Sequence, residues 1–562
     1  MARTAQEIQL DNLAALERDA AGYGADTDVP LKLRNRIIAL RRELGLPLAA
    51  PSGETPNPSS AEAIKRANLA ELERRATMYG ADSDVPLLLR NRIISLRREL
   101  GLPPVNLPSP EPWTASPAPA GDEALVIQLL QPPEGGAPLA QVTQSPQGGE
   151  SAPQTLVLPY SEAELEAVLK GLGKPFGPLT ATKLKPEITA VLQAHNLSDG
   201  KFLLKQIYPR VGKKLYDSLF AGDIGKMLFA ARLAKGATDG AGGGVPPLSS
   251  PRHTPGMIPG EQDIIGAPKS LPVRLVIDAN SPTLAAYPWE MVYNDQALLA
   301  DGVIDLIRYI PYPNPPKSLK IDLPLRVLIV SPRPKNLASL PPYAEPATVM
   351  QTLQGQLSAE QVTVTRLPKP TRRGLLAYLR QHPVHLLHFD GHGIYGKLCP
   401  VCSQAHTPNS KKCVNEACNY PLAEEPAQGY LALENAQQQA NYISADVFAN
   451  TILAGSAVQA VVLSACQSGL GRQVNLFSGV APALIQRGIP AVIAMQLAIG
   501  VKPAIAFVRD FYKTLAQFKP LVAAVREGRR TLYDDASNPQ TWFVPVLYLR
   551  SKDSEGQLFK TT

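Results

Sequence analysis

No run in the 562 residues approaches the roughly eighteen apolar side chains that a membrane-spanning helix needs. The opening stretch, MARTAQEIQLDNLAALERDA, holds no apolar core of signal-peptide length. These two shortages set the expectation of a cytoplasmic chain with no helical membrane span. Charge of one sign is also scarce: 56 Lys and Arg face 49 Asp and Glu, a net +7 with no long basic run. Neither nucleic acid nor an anionic membrane surface is demanded by so mild an excess. Cysteine is sparse at five residues, and without a secretion signal a disulfide framework is the weaker reading.

Proline is what the chain has in plenty, 55 residues, and much of it falls in stretches such as PLAAPSGETPNPSS and PPVNLPSPEPWTASPAPAGDE that read as linkers. A chain this long implies about three or four folded units. The first two are an internal repeat: residues 12–47 recur at 68–103 with 29 of 36 positions identical. Each copy reads as a helical hairpin, within modules 4–47 and 60–103. In the first copy Asp28, Val29 and Pro30 open the second helix and Gly45 follows its end. So short a module buries little surface alone. The repeated arginines (Arg34, Arg36, Arg41 and Arg42 in the first copy) exceed what packing requires, so the modules are expected to dock on an adaptor or sensor protein or on one another.

After a Pro-rich linker at 104–123, residues 124–236 read as a small α+β region. It has a strand pair, ALVIQLL and QTLVLP, around a turn-rich loop, then helices that include SEAELEAVLKGL. Ser161 with Glu164 three residues later is a capping-box signal. A Gly/Pro/Ser-rich segment follows at 237–262. From 263 to 555 apolar strands (LPVRLVI, LRVLIV, VHLLHF, VQAVVLSA, AVIAMQ, FVPVLYL) alternate with helix-length segments. Near-continuous apolar strands separated by helices indicate an α/β domain, a mostly parallel sheet covered on both faces.

Two of those strands lead into reactive residues. VHLLHFDGHG is expected to set His392 just beyond its strand, and AVVLSACQSG does the same for Cys466. Functional groups collect at the carboxyl ends of strands in open α/β sheets, so the imidazole and thiol converge if the strands are neighbours. A thiolate beside a histidine is the minimum apparatus for acyl transfer. Gly391 and Gly393 would allow close backbone approach, and the N–H groups of Gly393 and Cys466 are candidate oxyanion donors. Taken singly, each of the two residues is more often a buried core group.

The other four cysteines lie between His392 and the strand-like GYLALE, in an insertion at 397–428. Cys399 and Cys402 form a C-x2-C pair, ten residues follow, and Cys413 and Cys418 form a C-x4-C pair. Four thiolates can surround one tetrahedral Zn²⁺, so a zinc-ribbon-like finger with a structural ion is expected; His406 is a candidate substitute ligand. Lys397, Lys411 and Lys412 near the finger are the residues that a nucleic-acid contact would use, and three lysines are few.

HFDGHG, then VVLSACQSG, FSGVAPALIQRGIPAVIAMQ, FVRDFYKTL and WFVPVLYLR in order, with YPWEMVYN and RYIPYP upstream, resemble the CHAT domain, a relative of caspases, metacaspases and separases. The resemblance covers roughly 270–552. It implies a caspase-hemoglobinase-like fold and a cysteine endopeptidase with His392 and Cys466 as its dyad. Relatives that cleave after lysine or arginine often carry an acidic residue two before the cysteine, where this chain has Ser464. Asp390 is the nearby candidate for negative charge in a specificity pocket. The resemblance also implies a protein substrate, in some relatives a gasdermin-like pore former, and a place in bacterial defence or cell death with control by the N-terminal modules. The alternatives are a catalytically silent scaffold and a zinc-finger protein that binds nucleic acid or a partner.

Overall fold

A computed structural model describes Leu69, Glu73, Ile93, Arg97, Leu100, Leu102 and residues 123–560 except 133–135, 173–183, 205, 240–269, 279–280, 312–317, 341–343, 466–479, 498, 536–540 and 552. Residues 45–117 form one compact unit and the later residues belong to another. In the first unit Leu69 and Ile93 are buried and Arg97 is ion-paired with Glu73. Most of the helical-repeat reading lies outside the described residues.

Among the described residues the larger unit is built on a sheet of fourteen strands. They are β1 (Leu125–Leu130), β2 (Leu139–Gln144), β3 (Gln154–Thr155), β4 (Leu271–Ile277), β5 (Ile304–Tyr309), β6 (Leu325–Val330) and β7 (Val362–Arg366). The rest are β8 (Leu386–Leu398), β9 (Ala405–His406), β10 (Gln428–Glu434), β11 (Ala440–Ser444), β12 (Ala460–Ala465), β13 (Ala491–Met495) and β14 (Pro545–Leu549). Its long path runs β11-β10-β8-β12-β13-β14-β5-β4-β1-β2-β3, while β6 pairs with β8 and carries β7. Parallel pairs dominate the middle: β6 with β8, β8 with β12, β12 with β13, β14 with β5, β5 with β4 and β4 with β1. Within this middle β13 and β14 are antiparallel, and toward the edges β8 runs against β10 and β1 against β2.

Burial explains the sequence pattern. Every residue of β4 and of β13 is buried, which requires cover on both faces and accounts for runs with no polar alternation. On β8 the neighbours Leu387 and His388 point to opposite faces and both are fully buried.

Region 124–236 shares this sheet, because β1 pairs parallel to β4. The sequence reading of its strand pair needs correction. The antiparallel partner of β1 is β2, LAQVTQ, inside the stretch taken for a turn-rich loop, and QTLVLP contributes only the two residues of β3. The alternating burial of β2 is the period-2 signature of a half-covered hairpin strand. Four helices follow: α1 (Glu162–Leu172), α2 (Pro186–Ala194), α3 (Ile207–Leu219) and α4 (Gly222–Asp239). The capping box at the start of α1 is present, with the Ser161 N–H donating to Glu164 Oε2 at 2.8 Å.

Beyond β4 come α5 (Pro282–Ala286), α6 (Ala344–Gln356), α7 (Arg372–Gln381), α8 (Ala445–Val447), α9 (Val480–Gln486), α10 (Val501–Ala516) and α11 (Leu521–Asp534). The stretch SADVFANTILAG, helical in its spacing, forms the single turn α8 followed by a π-helical turn at Phe448–Ile452. Helix α10 packs against both α6 and α11.

Candidate functional site

The two strands singled out by their reactive ends are parallel neighbours. Residues 460–465 of β12 stand opposite 386–391 of β8, with Ser464 beside Asp390 and Ala465 beside Gly391. Cys466 itself lies outside the described residues. His392 does not lie beyond its strand as expected. It sits inside β8, which runs on for six further residues because β10 takes up the ladder antiparallel, with Ala432 opposite His392.

His392 is 1% exposed, and its Nε2 meets the Ala338 carbonyl oxygen at 2.9 Å. Since a carbonyl only accepts, Nε2 carries the proton and Nδ1 is the basic nitrogen of the neutral ring. Gly393 stands opposite Leu431 in the same ladder. A Cβ at Gly391 would meet Pro332 Cγ at 2.9 Å and the Phe389 ring at 3.0 Å. The absence of a side chain at Gly391 is therefore required by the chain's own packing.

Asp390 and Ser464 are both buried. The Asp390 carboxylate accepts from Ser331 Oγ at 2.7 Å and is ion-paired with the Arg333 guanidinium, which also donates to the Asp390 carbonyl at 2.7 Å. Arg333 is held in turn through its backbone N–H, which donates to Glu434 Oε1 at 2.7 Å. One loop, carrying Ser331 and Arg333 just past β6, thus ties Asp390 of β8 to Glu434 of β10, and the Asp390 charge is balanced from within the chain.

Farther along β8 the insertion forms a closed knot. Cys399, Cys402, Cys413 and Cys418 are all buried, and their sulfurs lie within 4.8 Å of one another. Cys399 and Cys418 are 3.6 Å apart and Cys402 and Cys413 3.5 Å. Each cysteine pair closes with a left-handed residue, Ser403 at φ 58° and Asn419 at φ 45°, so the two turns present their sulfurs alike.

These four sulfurs suit a divalent ion. Zinc–sulfur bonds of about 2.3 Å in a tetrahedron put the sulfurs about 3.8 Å apart, close to the separations found. The thiols also titrate as a crowded set. Cys402 is drawn down, first by a hydrogen bond from Cys399 and also by the Gln404 N–H, against burial. Cys399 is pushed up by that same bond, and Cys413 is pushed up mainly by burial. One sulfur can take a charge only at its neighbours' cost, a conflict a bound dication removes.

His406 is buried but is not one of the four clustered ligands. The Lys397 ammonium is buried too and donates to the carbonyls of Leu422 at 2.7 Å, Ala423 at 3.3 Å and Ser410 at 3.4 Å. It ties the finger's loops together and is not available to a phosphate, contrary to its place among the candidate phosphate contacts.

Residues 212–548, more than half of the chain, match the CHAT domain family. The chain belongs to the CHAT domain family. No curated protein matches it. Similar solved structures include the Arg-specific cysteine proteinase gingipain R (RgpB) of Porphyromonas gingivalis, at 10% identity over 54% of this chain and 66% of that one, with a TM-score of 0.31. Another is the Saccharomyces cerevisiae separase–securin complex, at 11% identity over 97% of this chain and 37% of that one, with a TM-score of 0.38. The chain spans just under two thirds of the first and little over a third of the second.

The CHAT domain also contains polar clusters that the sequence reading did not find. His388, fully buried two residues before Asp390, meets Tyr512 of α10 through Nδ1 and Glu345 of α6 through Nε2, each at 3.0 Å. A second cluster joins Arg308 of β5 to Glu290 by two hydrogen bonds, at 2.8 and 2.6 Å. Gln496, just past β13, closes it by donating to Glu290 Oε2 at 3.1 Å. Burial opposes the Arg308 charge, but Glu290 outweighs it and holds the guanidinium pKa above its ordinary value. The signal for the second cluster was charge set among apolar residues, Glu290 in YPWEM and Arg308, with Asp305, in IDLIRY.

Proposed function

We propose that the CHAT domain is a cysteine endopeptidase in which Cys466 is the nucleophile and His392 its acid–base partner. The observation that carries this reading is the register of β8 and β12. Gly391 and Ala465 are paired, and the residues that follow them in the sequence are His392 and Cys466. Neighbouring strands lie about 4.8 Å apart, a spacing that favours transfer of a proton between a thiol and an imidazole.

In this mechanism the Ala338 carbonyl holds Nε2–H, leaving Nδ1 to take the thiol proton. The Cys466 thiolate attacks the substrate carbonyl, and the N–H groups of Gly393 and Cys466 receive the oxyanion. Imidazolium returns its proton to the departing amine as the C–N bond breaks, leaving a thioester. Water, deprotonated by His392, then releases the acid and restores the thiol.

Asp390 is the nearest acidic group for a specificity pocket, with Ser464 beside it. Its balance by Arg333 means that recognition of a basic substrate side chain would require Arg333 to yield the carboxylate. The four cysteines of the finger would hold a structural Zn²⁺, with no open position for water. The N-terminal repeats would recruit an adaptor or sensor protein that restrains or releases cleavage of a protein substrate, in a cytoplasmic defence or cell-death response that could end on a gasdermin-like pore former.

Alkylation of the full chain with an iodoacetamide probe at pH 6 tests the dyad. An isolated thiol of pKa about 8.5 is less than about 1% thiolate there. Cys466 should label rapidly in the wild-type chain and at least about tenfold more slowly in His392→Ala. Equal rates would refute the pairing.

A further inference from the structure

We propose that the metal-binding finger is the positioning device for His392, acting through the β8–β10 ribbon; this rests on the peptidase reading above. His392 and Cys399 are seven residues apart on one extended segment, about 23 Å at strand rise. Beyond His392 the register with β10 runs on without a bulge, from Ala432 opposite His392 to Gln428 opposite Gly396. Whatever fixes the far end of this ribbon fixes the position of the imidazole along it.

β11 lies along β10 from Tyr430 to Glu434, so the ribbon is backed by a third strand as far as Ile394, and only its outer stretch toward the finger lacks one. The pairing of β6 with β8 ends at Phe389, and that of β12 ends, among the described residues, at Gly391. From Gly393 to Leu398 the described partners of β8 are β10 and the two residues of β9. The stretch from Tyr395 to Leu398, past the reach of β11, is a two-stranded ribbon, and such ribbons are only marginally stable in water. At its tip the buried groups are the four sulfurs, Leu422, His406, Ala405 and the Lys397 ammonium. So few apolar side chains make no core, and without an ion four crowded thiols replace one.

The other strand of the ribbon also reaches the site. β10 ends at Glu434, whose Oε1 takes the Arg333 N–H and whose own N–H donates to the Pro370 carbonyl at 2.9 Å. A slip of β10 therefore disturbs Arg333, the Asp390 carboxylate it holds, and the partner strand of His392 together. At the tip, a Cβ on Gly396 would lie 2.1 Å from the His406 carbonyl, so β9 is pressed onto β8 with no room for a change of register.

The experiment uses the full chain stripped of metal by a thiol-compatible chelator, with the loss confirmed by elemental mass spectrometry. Rates of peptide cleavage and of Cys466 alkylation are read together. A displacement of about 1 Å costs up to about a hundredfold in rate, so kcat should fall about 10- to 100-fold with KM changed less, and alkylation at pH 6 should slow in parallel. Cobalt(II) should restore both rates, with the absorption of a tetrathiolate site reporting its occupancy.

A second variant replaces residues 397–427 by Asn-Gly, joining the register partners Gly396 and Gln428 through a two-residue hairpin turn. It should keep activity and resist the chelator. Stripped wild-type chain with unchanged kcat and alkylation overturns the proposal. A chelator-sensitive wild type with an inactive turn variant also overturns it, in favour of direct contact between finger and substrate. Failure of the peptidase reading shows separately, as cleavage that persists in Cys466→Ala.

Discussion

Replacing Arg308 by Met probes a buried ion pair of the central sheet. Arg308 is 2% exposed and Glu290 is fully buried. The guanidinium makes two bonds to that carboxylate and donates to the carbonyls of Ala285 at 2.6 Å and Tyr287 at 2.8 Å. The substitution leaves Glu290 with the amide of Gln496 and leaves the two carbonyls without this donor. Breaking a buried ion pair from one side costs about 3–5 kcal/mol. With an unfolding entropy of about 2.1 cal/mol/K per residue, a domain of this size shifts by about 1–2 °C per kcal/mol, so the melting temperature should fall by roughly 4–8 °C. Calorimetry on the full chain measures it. The double variant Arg308→Met, Glu290→Leu removes the stranded charge and should recover most of the loss. A single variant melting within about 2 °C of wild type, or a double variant no better than the single, would refute the reasoning.

Gly391→Ala should destabilise by about 1–3 kcal/mol, because the new methyl meets Pro332 and the Phe389 ring at or inside contact distance; urea denaturation reads this, and a wild-type midpoint would contradict it. Glu164 is held down to about 2, first by the Ser161 N–H and then by the Ser161 hydroxyl and His195. A lowered carboxyl pKa stabilises the fold above its unfolded value of about 4.3 and loses that effect as pH falls toward 2. Carboxyl NMR should therefore show Glu164 titrating well below the other exposed glutamates, and Ser161→Ala should move it upward. Metal analysis of protein purified without chelator should find about one zinc per chain, falling by at least about half in Cys413→Ser; equal metal in both would rule the cluster out as its site.

The sheet was largely legible because parallel strands covered on both faces are written as near-continuous apolar runs. LPVRLVI, LRVLIV and AVIAMQ say so directly. The strands that escaped are those whose pattern is diluted. β2 is half polar, β5 carries Asp305 and Arg308, and β7 alternates with exposed residues. The length of β8 was missed for a different reason. FDGHG reads as a turn by composition, yet β10 supplies a partner from more than thirty residues away, and long-range pairing overrides local propensity. The cysteine cluster was legible from spacing alone. The commitment of Lys397 to three carbonyls and of Asp390 to Arg333 was not, since hydrogen-bond partners distant in sequence leave no local pattern.

The central claim is hydrolysis by a thiol at position 466. Full-length wild-type chain and Cys466→Ala, each incubated with a denatured proteome, should be compared by sequencing the new N-termini. The account predicts a consistent set of cuts by the wild type and none of them by the variant, whose melting temperature stays close to that of the wild type. The same cuts from both proteins would contradict it.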